Sequence, residues 1–225
     1  MVIISVFLFS KPQSLFNSNF SENLLGYIGV IIALVGQFIR IITLGFTGKK
    51  TSGRGRVIKA FSLNTDGLYS VTRNPLYLGN LLITTGLAII YDSFFCYIIV
   101  IGFWVFQYWF IILAEEDFLK QKFGKIYLDY LKKVPKLFPK FPKNLILFPR
   151  DKTFDWRYVL EREYNAFLSW IMLAIILEVY GDVYKKGYTN CKSEVLFWTI
   201  CLILTMLLFL FFKTWKNGLI EIPNP

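Results

Sequence analysis

One arginine and two neighbouring carboxylates stand at the two ends of a long apolar stretch. Arg73 and Asn74 directly precede Pro75, and Glu115 and Glu116 follow the stretch at its other end. A guanidinium forms charge-assisted hydrogen bonds with carboxylates, and a carboxylate can also accept a proton from a reacting group. These residue types therefore indicate a candidate polar site, provided that the fold brings the two ends together.

The sequence between the two clusters predicts a helical hairpin that does so. Residues 76–90 and 94–114 are apolar, and only residues 91–93 separate them. So short a connection implies two antiparallel helices, and the outer ends of such helices are neighbours. We therefore expect the Arg73 guanidinium to meet the two carboxylates at one surface of a membrane.

Each cluster alone has a simpler interpretation. Arg73 could anchor a helix at the lipid surface, and the acidic residues 115–117 could mark a helix end in water. Acidic side chains near a helix C-terminus are unfavourable, however, unless the helix continues or a cation compensates them. The presence of both clusters beside one hairpin therefore favours a site over two separate anchors.

The composition is that of an integral membrane protein. The 225 residues are 55% hydrophobic and 19% aromatic, and the mean hydropathy is +0.50, which is high for a soluble domain of this length. The formal net charge is +10. Because the basic residues lie in loops between apolar blocks, this charge follows the positive-inside pattern and does not indicate nucleic-acid binding.

The chain contains no histidine and three cysteines. The absence of histidine excludes a histidine general base, a Ser-His-Asp triad and a histidine metal ligand. Cys96, Cys191 and Cys201 show no CxxC spacing. We therefore expect neither a metal site nor a disulfide framework.

The apolar blocks predict an all-α fold, a polytopic transmembrane helical bundle with about five spans. The predicted spans are residues 24–46, 76–90, 94–114, 164–180 and 195–212. The apolar residues 1–9 are too few to cross a bilayer, whereas residues 118–134 show helical spacing of apolar side chains and predict a cytoplasmic interfacial helix. Because the loops 47–75 and 115–163 hold most of the lysines and arginines, we place both in the cytoplasm.

The first predicted span has two features that bear on its packing. Small residues recur at spacings of three and four, which would let another helix approach closely, and they are Gly26, Gly29, Ala33 and Gly36. Arg40 interrupts the same span near its end, where its side chain would either reach the lipid surface or face the protein interior.

Two sequence blocks flank the hairpin and contain the polar clusters. The first is LNTDGLYSVTRNPLYLGN, residues 63–80, and the second is EEDFLKQKFGKIYLDYLKKVPKLFP, residues 115–139. They resemble the L-x-T-x-G-x-Y-x-x-x-R-x-P-x-Y-x-G and EE-x-x-L-x-x-x-F-G-x-x-Y-x-x-Y blocks of the isoprenylcysteine carboxyl methyltransferase and phospholipid N-methyltransferase superfamily. Both blocks, in this order and separated by a two-helix hairpin, make the resemblance specific over roughly residues 24–140.

The resemblance implies an integral membrane methyltransferase with S-adenosylmethionine as methyl donor. The two blocks would hold this cofactor on the cytoplasmic side, and a lipid-like or lipidated acceptor would enter from the bilayer. The resemblance implies catalytic roles for Arg73 and Glu116. The cofactor-binding positions that it implies are Tyr69, Arg73, Asn74, Pro75, Tyr77, Glu115, Glu116, Tyr127 and Tyr130.

Two departures from the prenylcysteine enzymes concern the methyl acceptor. Asn74 stands where those enzymes usually carry histidine, so this position can form hydrogen bonds but cannot transfer a proton. The segment FQYWFIILA before Glu115 lacks the arginines that they carry there. The acceptor stays open among a phospholipid amine, a lipidated carboxylate and a small hydrophobic metabolite. For an amine or hydroxyl acceptor, Glu115, Glu116 or Tyr77 would take the proton.

Two other functions stand as alternatives. A membrane reductase on a related scaffold would bind NADPH in place of S-adenosylmethionine, and a non-catalytic scaffold protein would use the polar clusters only as anchors. In each case we expect a membrane partner and neither a metal nor a nucleic acid. We divide the chain into a core of residues 1–140, a polar cytoplasmic connector of residues 141–163 and a C-terminal transmembrane helix pair of residues 164–225.

Overall fold

The computed structural model describes residues 12, 19–47, 62–141, 148 and 152–218. These residues form five α-helices and two short 3-10 helices, and they contain no strand. The predicted all-α class is thereby confirmed, while the apolar residues 1–9 and the basic residues 48–61 lie outside the described residues. The α-helices are α1 Asn19–Thr47, α2 Pro75–Tyr91, α3 Phe94–Lys133, α4 Trp156–Lys186 and α5 Lys192–Lys216.

Four of these helices are long and apolar enough to cross a membrane. They are α1, whose candidate span is Leu24–Thr47, together with α3, α4 and α5. Helix α2 is apolar but has 17 residues. At 1.5 Å per residue it extends roughly 25 Å, which is at the lower end of what a spanning helix needs.

The chain divides into two compact units. The first unit takes its described residues from Met1–Ala33, Thr84–Val100 and Leu160–Pro225, and the second from Leu34–Ile83 and Ile101–Val159. Both predicted polar clusters belong to the second unit.

In the first unit, α1 and α2 approach each other through glycines. A Cβ atom built on Gly29 would lie 2.7 Å from the Gly86 carbonyl oxygen, and one built on Gly86 would lie 2.9 Å from the Ala33 Cβ. The same unit contains Asp92, which is buried and lies 3.8 Å from the Lys185 ammonium. Gly26, by contrast, has no neighbour within 4 Å of such an atom, so it is not part of the helix contact that the sequence pattern predicts.

In the second unit, the same two helices meet at Gly36 and Gly79. A Cβ atom on Gly36 would lie 2.6 Å from the Gly79 carbonyl oxygen, which is too close for two unbonded atoms. A residue larger than glycine would therefore fit here only if the backbone moved. Arg40 is 1% exposed and donates a hydrogen bond to the Asn80 side-chain carbonyl. Of the two positions considered for the Arg40 side chain, the structure therefore has the interior one.

Helix α3 continues beyond the predicted end of the hairpin at Ala114. It reaches Lys133 across a kink at Gly124, which departs from helical geometry at φ 52° and ψ −125°. The acidic residues 115–117 thus lie inside a helix, and the unfavourable position at a helix C-terminus does not arise. The predicted interfacial helix is the continuation of the second hairpin helix. Helix α4 likewise begins at Trp156, before the predicted start at residue 164.

Candidate functional site

An ion pair joins the two polar clusters. Arg73 lies directly before α2, because α2 begins at Pro75 and the Asn74 carbonyl accepts a hydrogen bond from the Leu78 amide of the first turn. Its guanidinium Nη2 is 3.1 Å from Glu116 Oε1 of α3, and the two side chains are 11% and 9% exposed. The structure therefore brings together the two residues for which the sequence analysis expects catalytic roles.

The neighbouring carboxylate has a different partner. Glu115 is half-buried and accepts a hydrogen bond of 2.7 Å from the Tyr77 hydroxyl of α2. Within the described part of the chain, no lysine or arginine forms an ion pair with Glu115. Two consecutive glutamates thus have unlike environments, since one is held by cations and the other by a neutral phenol.

The segment after α3 folds back against the residues before α2. We call residues 135–140 the strap. Five hydrogen bonds hold the strap to residues 71–74. They run from Arg73 N to Pro135 O (2.9 Å), Asn74 Nδ2 to Lys136 O (2.8 Å), Thr72 Oγ1 to Leu137 O (2.9 Å) and to Lys136 O (3.4 Å), and Lys140 N to Val71 O (3.0 Å). The Asn74 amide, which the sequence analysis assigns to the cofactor, is engaged in this structural contact.

Lys136 is a site residue that the sequence analysis missed. Its ammonium lies 3.6 Å from Glu116 Oε2 and 4.7 Å from the centre of the Trp109 ring. Glu116 therefore has two cationic partners, Arg73 and Lys136. The available signal was the position of Lys136 within the second sequence block, directly after Pro135.

Three tyrosines of the predicted site belong mainly to its walls. Tyr130 donates a hydrogen bond of 2.6 Å to the backbone carbonyl of Tyr69. Tyr127 is 2% exposed and, with Tyr130, forms part of a hydrophobic core cluster that also contains Val134. Burial raises the pKa of the Tyr69 hydroxyl above its ordinary value, and the nearby negative charge of Glu115 raises it further. The Tyr69 hydroxyl therefore keeps its proton at neutral pH.

A second polar layer continues along α2 and α3 from the Glu115 side of the site. The Tyr77 and Tyr108 rings are 4.9 Å apart, and the Asn80 amide donates a hydrogen bond of 2.9 Å to the Tyr108 hydroxyl. Trp104 stacks on Tyr108 at 4.5 Å, and its buried Nε1 has no hydrogen-bond partner among the described residues. Polar atoms thus extend from Glu115 to Arg40 through an otherwise apolar region.

Two further buried polar atoms of the site lack hydrogen-bond partners in the described part of the chain. They are Arg73 Nε and Glu116 Oε1, although Glu116 Oε1 also lies 3.1 Å from Arg73 Nη2 in the ion pair. Most buried polar atoms in proteins are hydrogen-bonded, so such atoms indicate where a ligand can bind. Among the described residues, no group of three or more histidine, cysteine, aspartate or glutamate side chains could hold a metal ion.

Comparison with known proteins gives two matches. The phospholipid methyltransferase family model matches residues 24–126, a range that contains both polar clusters. The cobalt-zinc-cadmium resistance protein CzcN of Cupriavidus metallidurans is 30% identical over 164 residues, which make up 72% of this chain and 68% of that protein. No solved structure matches the chain.

Proposed function

The chain belongs to the phospholipid methyltransferase family, and from this premise we propose that it is an S-adenosylmethionine-dependent methyltransferase of the membrane. Its acceptor is a lipid-like or lipidated molecule, methylated at the cytoplasmic interface. The loops 47–75 and 115–163 contain most of the lysines and arginines as well as most of the site residues. By the positive-inside pattern, this charge supports a cytoplasmic position of the site. The four helices long enough to span a membrane support access from the bilayer.

The observation that carries the proposal is the ion pair between Arg73 and Glu116, together with the Arg73 Nε, which makes no hydrogen bond to a described residue. S-adenosylmethionine supplies a methyl group on a positively charged sulfur and carries an amino and a carboxylate group. Besides its ion pair with Arg73, Glu116 Oε1 has a second lone pair that can accept a hydrogen bond from an ammonium, and Arg73 Nε can donate one to a carboxylate. The donor and acceptor set of the site therefore fits this cofactor.

The remaining site residues fall into two groups by what they do. Glu115 and Tyr77 present polar side-chain atoms beside the ion pair. The others hold the walls of the site in place, and they are Tyr69, Asn74, Pro75, Tyr127 and Tyr130. Methyl transfer is mainly a matter of alignment in a site without water, and such positioning can supply roughly 7–11 kcal/mol of a barrier. A set of rigid walls around one charged centre suits that requirement.

We also propose a separate role for the C-terminal part of the chain. Residues 1–140 form the methyltransferase core, residues 141–163 the connector, and residues 164–225 the C-terminal pair of spans, in which α5 presents large apolar side chains outward. We place the recognition of the acceptor's apolar part on the lipid-facing side of the core, since the site itself is polar.

A labelling experiment tests the proposed function. The purified full chain in lipid nanodiscs is incubated with S-adenosylmethionine labelled in its methyl group and with a total lipid extract, and the products are identified by mass spectrometry. We expect label in one lipid class, and a micromolar dissociation constant for S-adenosylmethionine by calorimetry, within the usual range for cofactors and substrates.

The Asp117→Asn variant is the matched control, because Asp117 is the next acidic residue of α3 and its side chain is 74% exposed. This variant should behave as the wild type, whereas Arg73→Ala and Glu116→Ala should lose binding and transfer. Stabilisation by NADPH and not by S-adenosylmethionine in a thermal-shift assay would contradict the proposal and favour a reductase. Full cellular function of Arg73→Ala and Glu116→Ala would favour a scaffold protein.

A further inference from the structure

Glu115 and Glu116 have different partners, which indicates different roles for the two carboxylates. We propose that Glu115 is the proton acceptor of the reaction and that Glu116 is a charge-bearing binding residue. The acceptor substrate is accordingly one whose reacting nitrogen or oxygen carries a hydrogen, an amine or a hydroxyl. This inference rests on the proposed methyltransferase function and assigns the substrate class of the same site.

Glu116 is unsuited to accept a proton. Its two oxygens lie 3.1 Å from the Arg73 guanidinium and 3.6 Å from the Lys136 ammonium. A proton on Glu116 would leave these two cations without a counter-charge in a place largely shielded from water, which is costly. Glu116 therefore serves as the counter-charge of Arg73 and Lys136.

Glu115 has none of these constraints. Its one hydrogen bond in the described part of the chain comes from a neutral group, the Tyr77 hydroxyl. One carboxylate oxygen, Oε1, receives that bond, while Oε2 accepts no hydrogen bond from a described residue. The side chain is half-buried, in contrast to the buried Glu116, so that a substrate can reach it and the proton can later leave to water.

The other candidate proton acceptors are excluded by their bonding. Tyr77 already donates its hydroxyl hydrogen to Glu115 and acts as a positioning residue for that carboxylate. The Tyr69 hydroxyl keeps its proton, because burial and the charge of Glu115 raise its pKa. Asn74 has no group that titrates, and its amide is bonded to the Lys136 carbonyl.

The step balances with the groups named. A new bond forms between the methyl carbon and the acceptor's nitrogen or oxygen while the carbon–sulfur bond breaks, and sulfur keeps the electron pair. The acceptor atom, which gains a bond to carbon, loses its hydrogen as a proton to Glu115 Oε2. Glu115 then returns the proton to water. An acceptor carboxylate has no such proton to lose, so it would have no need of Glu115.

The test compares three variants of the full chain in nanodiscs. Glu115→Gln keeps the shape of the side chain and its hydrogen bond from Tyr77 but removes the basic oxygen. Glu116→Gln removes the charge held by the two cations, and Asp117→Asn is the exposed control on the same helix. The three probes are dioleoylphosphatidylethanolamine for an amine, hexadecanol for a hydroxyl and palmitate for a carboxylate.

We expect Glu115→Gln to lower the turnover number with the amine or hydroxyl probe by about 100-fold or more, as for loss of a general base. Its dissociation constant for S-adenosylmethionine, measured by calorimetry, should change by less than about threefold, since the charge pair is intact. Glu116→Gln should instead change the dissociation constant for S-adenosylmethionine more than the turnover number, and we expect it to raise that constant about tenfold or more. Formate should partly restore turnover to Glu115→Ala.

Several outcomes would overturn the assignment. They are unchanged turnover in Glu115→Gln, an equal loss of turnover and cofactor affinity in that variant, and transfer by the wild type to palmitate alone or to none of the three probes. Failure of the wild type to bind S-adenosylmethionine would instead refute the proposed function, and calorimetry alone separates the two failures. The melting temperature of each variant shows whether a loss of turnover comes from unfolding.

Discussion

Lys136 of the strap lies 3.6 Å from Glu116 of α3, and its ammonium also lies over the Trp109 ring at 4.7 Å. The strap therefore contributes a charge to the site as well as covering the residues before α2. Because a cation–π contact and an ion pair hold the same ammonium, Lys136 is positioned more firmly than a surface lysine. Glu116 depends on this residue and on Arg73 for its counter-charge.

Replacement of Lys136 by glutamine should weaken cofactor binding. When Lys136 is removed, Arg73 is the remaining cationic partner of Glu116. We expect the two to pair more tightly, so that the Arg73 guanidinium is less available to the ligand. We expect the dissociation constant for S-adenosylmethionine to rise by about tenfold, equivalent to about 1.4 kcal/mol. Calorimetry on purified protein measures this change.

Lys132→Gln is the matched control for that prediction. Lys132 pairs with Asp129 at 3.3 Å on an exposed surface of α3, where its side chain is 75% exposed. Such surface pairs contribute little, so this variant should bind as the wild type does. Equal effects of both substitutions would show that Lys136 acts through net charge alone and not through Glu116.

Arg73 and Glu116 should show strong coupling in a double-mutant cycle. Arg73→Ala leaves a buried carboxylate with one cation, and we expect a loss of roughly 1–3 kcal/mol in the free energy of unfolding. Glu116→Ala leaves the guanidinium without a counter-charge at a similar cost. Because the double variant removes both charges, it should be destabilised by less than the sum of the two single changes.

Denaturant unfolding in detergent measures the four free energies of this cycle. Additive single effects would mean that the 3.1 Å contact contributes nothing to stability. The prediction concerns folding alone and is independent of any cofactor.

Asn74→Ala should loosen the strap. The substitution removes the 2.8 Å hydrogen bond to the Lys136 carbonyl, one of the five bonds that hold the strap to residues 71–74. We expect faster hydrogen exchange at the amides of Arg73 and Lys140, whose partners are the Pro135 and Val71 carbonyls. Mass-spectrometric hydrogen exchange on the full chain reads this out.

Asn190→Ala provides a control with the same kind of bond elsewhere. The Asn190 amide also donates a 2.8 Å hydrogen bond to a backbone carbonyl, that of Lys186, but at an exposed site. Exchange over the strap should not respond to this change. If Asn74→Ala also left the strap amides unaffected, the side chain of Asn74 would be free to serve the ligand instead.

Gly124→Ala should destabilise the second part of α3. Gly124 has a φ of 52°, a left-handed conformation that costs an alanine about 1 kcal/mol or more. The residues after it include Tyr127 and Tyr130, which form the site wall. We therefore expect a lower melting temperature together with weaker cofactor binding.

Gly102→Ala is the corresponding change in the regular part of the same helix. A Cβ atom at Gly102 would meet nothing within 4 Å, and its φ is not in the left-handed region. Alanine is the better helix former, so this variant should be as stable as the wild type or more stable by up to about 1 kcal/mol. A similar response of both variants would exclude the positive φ as the cause.

The sequence predicted those features that depend on local pattern. The apolar blocks predicted the helices. Helix α3 joins the predicted span 94–114 to the predicted interfacial helix, and α4 extends beyond both ends of the predicted span 164–180. The interior packing of the first span was predictable from its small residues, except that Gly26 has no close neighbour. Lys136 could not be distinguished from the other lysines of the second block, because only the folding back of the strap brings it to Glu116.

The sequence by itself determined that Arg73 and the carboxylates would lie at the same end of a hairpin, since the short connection between α2 and α3, residues 92 and 93 in the structure, makes the two helices antiparallel. Only the tertiary structure decided which carboxylate meets which partner. Consecutive residues on a helix point about 100° apart, so Glu115 and Glu116 face different neighbours according to how α3 is rotated about its axis. Loop length does not set that rotation. The packing of α3 against α2 and the strap sets this rotation. As a result, Glu116 faces Arg73 and Lys136, and Glu115 faces Tyr77.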